Sequence, residues 1–151
     1  MPIDTANLRV LLLDDDWRIT EGLRRHIHQH HPGWKVHQSI AVADALRVLD
    51  RHALEIDVAV CDINMPEVPG TQLLKLIRDA YPWMVRITLS GMLDAQSLVD
   101  SNKYAECKLV KPLAAERLCA EIVRLCGERG DSTPPRVMPK ESPKPQQETQ
   151  P

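Results

Sequence analysis

Asp62, the run Asp14-Asp15-Asp16, Ser90 and Lys111 are the side chains in this 151-residue chain whose types and positions could do chemistry together. Each follows an apolar run. Val10-Leu11-Leu12-Leu13 ends in the three acids, and Val58-Ala59-Val60-Cys61 ends in Asp62. Val85-Arg86-Ile87-Thr88-Leu89 ends in Ser90-Gly91, and Leu109-Val110 ends in Lys111-Pro112. In a parallel α/β sheet, residues just past the carboxyl ends of the strands converge on one crevice. That crevice would hold several carboxylates, one hydroxyl and one ammonium, the equipment for a divalent metal and a phosphoryl group.

Two ionised carboxylates about 4 Å apart repel by roughly 4 kcal/mol at an effective dielectric of 20, and a hard dication relieves that cost. Mg2+ prefers oxygen ligands, keeps several waters and bridges to phosphate. Asp15 and Asp62 suit direct ligation, with the backbone carbonyl of Asn64 as a third donor. Asp16 also suits the N-cap of the helix that follows it. Asp62 can act as a nucleophile, since carboxylates form acyl-phosphates. In-line attack on phosphorus needs the equatorial oxygens neutralised more than it needs acid–base help. Mg2+ would take one oxygen, Lys111 a second and the Ser90 hydroxyl a third. Taken singly, Ser90 reads as a turn residue and Lys111 as a solvated loop charge. Their succession at strand ends favours the joint role.

The elements that would position these groups alternate five times. Strand patterns lie near 8–13, 35–40, 57–61, 84–89 and 107–110, and helical patterns near 17–30, 42–52, 70–80, 94–102 and 114–127. Ile19, Leu23 and Ile27 make one apolar stripe at spacing four. Leu73, Leu74 and Ile77 make another, and Leu118, Ile122 and Leu125 a third. The pattern near 94–102 is the weakest, because Asp100, Ser101 and Asn102 are poor helix formers. Pro32-Gly33, Pro69-Gly70 and Pro82 punctuate the short connections. Alternating β and α elements predict an α/β domain with a doubly wound parallel sheet of five strands.

Composition bounds the rest. Hydrophobic content of 43% and charged content of 26% are ordinary for a globular domain. A net charge of -2 gives no reason to expect direct nucleic-acid binding. No apolar run approaches the roughly 18 to 20 residues that cross a bilayer, and Met1–Asn7 lacks signal-peptide character, so the expectation is a cytoplasmic protein without membrane association. Cys61, Cys107, Cys119 and Cys126 form no Cys-x-x-Cys pair and are expected to be buried reduced thiols. Residues 129–151 contain six prolines and almost no large apolar residue, which predicts a disordered tail after a domain spanning 1–128. His26-x-His28-x-His30-His31 places His26 and His30 four apart, a spacing that can chelate. A polar, partly exposed helix face is the simpler expectation.

The four strand-end motifs together resemble the receiver domain of two-component response regulators. The resemblance covers about residues 7–127 and rests on Leu11-Leu12-Leu13-Asp14-Asp15-Asp16, Cys61-Asp62-Ile63-Asn64-Met65-Pro66 with Pro69-Gly70, Thr88-Leu89-Ser90-Gly91 and Val110-Lys111-Pro112. It implies the (βα)5 flavodoxin-like receiver fold and phosphorylation of Asp62 by a sensor histidine kinase, a phosphotransfer protein or a small phosphodonor. It also implies Mg2+ organised by Asp14 and Asp15 with Asp62 and Asn64, and Ser90 and Lys111 sensing the phosphoryl group. The chain would then be a switch that changes a surface for a downstream effector protein or domain, with homodimerisation as one form of output. It would be no enzyme beyond its own phosphotransfer and dephosphorylation. Lys108 stands where that family usually has an aromatic residue or His. Two other readings compete. One is a degenerate receiver that binds partners without phosphorylation. The other is a haloacid-dehalogenase-like phosphatase using Asp14 as nucleophile and Asp16 as acid, which would leave Asp62 without a role.

Overall fold

The computed structural model describes residues 4–65, 70–91 and 104–129. Within them lie β1 (Arg9–Leu13), α1 (Trp17–His30), β2 (Lys35–Ser39), α2 (Val42–His52), a 3-10 turn (Ala53–Glu55), β3 (Val58–Asp62), α3 (Gly70–Ala80), β4 (Val85–Ser90), β5 (Cys107–Val110) and α4 (Ala115–Arg129). The expected helix near 94–102 and the Pro-rich tail beyond Arg129 lie outside the described residues. All four strand pairings are parallel, in the order β2-β1-β3-β4-β5. The five-stranded doubly wound sheet predicted from the alternation is therefore present, and so are the expected strands within a residue or two.

Strand alternation builds two cores. Val10 and Leu12 of β1, Val58 and Val60 of β3, and Ile87 and Leu89 of β4 face Leu23 and Ile27 of α1 and Leu118, Ile122 and Leu125 of α4. Leu11, Leu13, Ala59 and Cys61 face the other way, onto Ala45 and Leu49 of α2 and Leu73, Leu74 and Ile77 of α3. Because the side-chain period along a strand is two, the unbroken apolar runs Val10–Leu13 of β1 and Val58–Cys61 of β3 require helices on both sheet faces. The apolar stripes read in the sequence are the surfaces that cover them. Ile77 is fully buried, and Ile77→Ala is expected to cost about 2–5 kcal/mol of stability. A urea unfolding midpoint indistinguishable from that of the parent would contradict this packing.

The turns have specific causes. Asp16 caps α1, its carboxylate accepting the Arg18 N–H at 3.0 Å, as its position before the helix predicted. At Gly33 an added Cβ would come within 2.3 Å of the Ala6 carbonyl oxygen, so only glycine lets the two turns pass. The final helix runs to Arg129, one residue past the expected domain end. Arg129 donates to the Pro82 carbonyl and pairs with Glu106, which ties the last turn down. None of the four cysteines forms a disulfide. Cys61, Cys119 and Cys126 are buried and Cys107 is half-buried, its thiol 3.8 Å from a Glu121 carboxylate oxygen. Burial, with the Asp62 charge adding to it, pushes the Cys61 thiol up to about 12, which suits an inert core side chain.

Candidate functional site

The sheet's strand order reverses between β1 and β3, so their helices leave to opposite faces and a crevice opens past their carboxyl ends. Leu13 pairs with Cys61 in that register, which puts the next residues, Asp14 and Asp62, side by side. The ladder continues past the strand ends. The Asp14 N–H donates to the Ser39 carbonyl at 3.1 Å, Ile63 N–H to the Leu89 carbonyl at 3.1 Å, and Lys111 N–H to the Ser90 carbonyl at 2.8 Å. These backbone bonds fix the origins of the side chains to the rigid sheet.

Asp14, Asp15 and Asp62 form one cluster, with a carboxylate oxygen from each lying within 4.8 Å of the others. Among the described residues no other group brings three such ligand atoms so close. Asp14 and Asp62 are buried and Asp15 is exposed. Lys111 bridges the buried pair: its Nζ lies 2.6 Å from Asp14 Oδ2 and 3.3 Å from Asp62 Oδ2. The second oxygen of each carboxylate is held by a backbone amide two residues on, Asp16 N–H at 2.9 Å for Asp14 and Asn64 N–H at 2.9 Å for Asp62. Asn64 Nδ2 donates to Ser90 Oγ at 3.2 Å, which brings the serine hydroxyl to the Asp62 side of the crevice. Asp14, Asp15, Asp62, Asn64, Ser90 and Lys111 thus lie in one constellation, and the side chain of Asp16 does not. Lys111-Pro112 is a cis peptide.

Burial works against the Lys111 ammonium, but the Asp14 hydrogen bond and the charges of Asp62 and Asp14 outweigh it and raise its pKa above the ordinary lysine value. The group is therefore a fixed cation at neutral pH. Three hard carboxylate donors at this spacing suit Mg2+ better than a softer metal. Asp16, the acid that the phosphatase reading requires, is committed elsewhere. It caps α1 and forms an ion pair with Arg18 at 3.0 Å, and that side-chain hydrogen bond, then the Arg18 backbone amide, hold its carboxyl below the usual range.

Lys108 is exposed on β5, opposite Thr88. Tyr104 is half-buried against the α3-side core, with Arg78 4.7 Å from its ring centre. The sequence reading passed over Arg86. This strand residue is buried, donates to the Tyr104 carbonyl at 2.6 Å and forms an ion pair with Glu106 at 3.0 Å. A lone arginine inside Val85-Arg86-Ile87-Thr88-Leu89 was the available signal. The expected polar, partly exposed histidine face on α1 is present: His28 and His30 are exposed, and His26, facing Glu116 of α4, is partly exposed with 15% of its side chain accessible.

Comparison with known proteins agrees with this geometry. The family model of the response regulator receiver domain matches residues 10–123. An uncharacterised response regulatory protein of Yersinia pestis is 29% identical over 119 residues, covering 78% of this chain and 48% of that protein. The sensor kinase CckA of Brucella abortus is 29% identical over 121 residues, covering 78% of this chain and 12% of the kinase. The chain thus spans less than half the length of these curated relatives. In fold it is similar to the crystal structure of a CheY-like response regulator receiver domain protein from Methanospirillum hungatei. The TM-score is 0.74 at 24% identity, covering 82% of this chain and 96% of that one.

Proposed function

This chain belongs to the response regulator receiver domain family, and from that premise we propose that it takes a phosphoryl group onto Asp62 and so switches a surface for a downstream partner. The observation that carries the proposal is the Lys111 ammonium held between Asp14 and Asp62, with Asp15 completing the cluster. A carboxylate oxygen of Asp62 attacks phosphorus in line. The bond from phosphorus to the donor's nitrogen or oxygen breaks, and the leaving group takes a proton from solvent. Lys111 neutralises one phosphoryl oxygen, and Ser90 donates its hydroxyl to another after releasing Asn64. Mg2+, which Asp14, Asp15, Asp62 and the Asn64 carbonyl would hold, supplies further charge neutralisation when bound.

The donor is read as a sensor histidine kinase or phosphotransfer protein. Beside Lys111 lies a groove of about 540 Å3 lined by Ile19, Leu23, Leu89, Pro112 and Leu113, suited to the apolar face of a partner element that delivers a phosphohistidine. The folded unit is taken to end with α4 at Arg129, one residue past the 1–128 expected from the sequence, and the residues after it are taken as a spacer. No described helix is long and apolar enough to cross a membrane, and a cytoplasmic site of action is part of the same reading. The retained Asp15, Asp62, Ser90 and Lys111 favour this over a phosphorylation-independent module.

Trp17 provides the test. It follows the acid cluster directly and is 63% exposed, whereas Trp34 and Trp83 are buried away from it. Mg2+ is expected to change Trp17 emission saturably, and beryllofluoride to change it again only when Mg2+ is present. Trp17→Phe should remove both signals. Emission indifferent to both additions, in protein shown to be folded, would contradict the proposal.

A further inference from the structure

We propose that His26, His30 and Glu116 form a second metal site, for a borderline dication such as Zn2+ or Ni2+, in the groove between α1 and α4. The groove holds about 530 Å3 and is lined by His26, His30, His31, Glu116, Cys119 and Arg124 among others. The spacing of four puts His26 and His30 on one helix face. Their ring centres lie 4.3 Å apart with the rings tilted by 35°. His26 Nδ1 faces Glu116 Oε1 at 4.0 Å. A tetrahedral zinc with nitrogen and oxygen ligands at about 2.1 Å separates its donors by about 3.4 Å, so the approach needed is a fraction of an ångström at this contact. The three donors do not all lie within 4.8 Å of one another; His26 and Glu116 already do, so the remaining approach is between His30 and these two, and both His30 and Glu116 are exposed side chains.

The neighbours permit this. Arg124, the other charged lining residue, is drawn off by Glu121 at 2.6 Å and Glu128 at 3.2 Å. Cys119 lines the groove but is buried, and burial with the Glu116 charge pushes its thiol up to about 11; the accessible donors are imidazole and carboxylate. Imidazole selects Zn2+, Ni2+ or Cu2+ and carboxylates alone select Mg2+, so this site and the acid cluster divide metals by hardness. A metal here would join α1, which starts at the acid cluster, to α4, which follows the Lys111 loop.

His31 lines the same groove and stacks on Trp34 at 4.1 Å, which gives a local reporter. In a Trp17→Phe background with saturating Mg2+, Ni2+ is expected to quench Trp34 saturably at one equivalent. Zn2+ should compete for the site and raise the melting temperature by several degrees. His26→Ala and the exposed-site variant His30→Gln should each weaken Ni2+ binding by about tenfold or more, and Glu116→Gln by a few-fold. In a Trp17 background all three should keep the parent's Mg2+ response, which verifies folding. Quenching that survives both histidine variants, or that appears only at millimolar Ni2+, would overturn the proposal.

Discussion

Asp62→Asn is expected to abolish phosphoryl uptake and the beryllofluoride response while leaving the chain folded. The asparagine is nearly isosteric, but its amide oxygen lacks the charge and nucleophilicity that attack on phosphorus or coordination of beryllium requires. Folding should persist because Lys111 keeps its shorter contact, 2.6 Å to Asp14, and loses only the 3.3 Å contact to Asp62. One fewer anion in the cluster also relieves repulsion, so stability without Mg2+ should stay level or rise, and Mg2+ should bind more weakly. The pair of outcomes matters: a dead acceptor in a protein at least as stable as its parent identifies a functional carboxylate. Undiminished labelling from a small phosphodonor in this variant would place the acceptor elsewhere.

Lys111→Ala carries the second large effect. Asp14 and Asp62 have side chains only 2% and 4% exposed, and Lys111 is the cation between them. Removing one partner of a buried charge set leaves uncompensated charge in a poorly solvated place. The usual cost for a fully buried pair is about 3–5 kcal/mol, and the 20% exposure of Lys111 brings it below that range, to about 2–3 kcal/mol. Urea unfolding in chelator should show this loss. Added Mg2+ should restore more stability to the variant than it adds to the parent, because the dication replaces the missing positive charge. The variant should also lose response to beryllofluoride at its output surface, since nothing then senses the second oxygen. Equal stability of variant and parent in chelator would contradict the account of the bridge.

Much of this was legible along the chain, for identifiable reasons. The alternation of Val10 and Leu12 with Leu11 and Leu13 required two covered sheet faces, and the stripes of α1, α3 and α4 supplied the covers. Asp14, Asp62, Ser90 and Lys111 were legible as one site because parallel strands direct their carboxyl ends to one rim. Features set by distant packing were not. The pairing of His26 with Glu116 depends on α4 lying beside α1, which no local periodicity encodes. Arg86 is accommodated inside β4 because the Met84 and Tyr104 carbonyls and the Glu106 carboxylate surround it, a set of partners up to 20 residues away. The bridging of two acids by Lys111 spans 97 and 49 residues and depends on strand order.

The central claim is that Asp62 is the phosphoryl acceptor. It is tested most directly by incubating the protein with Mg2+ and a small phosphodonor, reducing the acyl-phosphate with borohydride, and mapping the modified residue by peptide mass spectrometry. The account predicts conversion of Asp62 to homoserine, dependent on both Mg2+ and phosphodonor, with Asp14 and Asp15 unmodified. Modification at Asp14 or Asp15 in place of Asp62, or none under conditions where a known receiver is labelled, would contradict it.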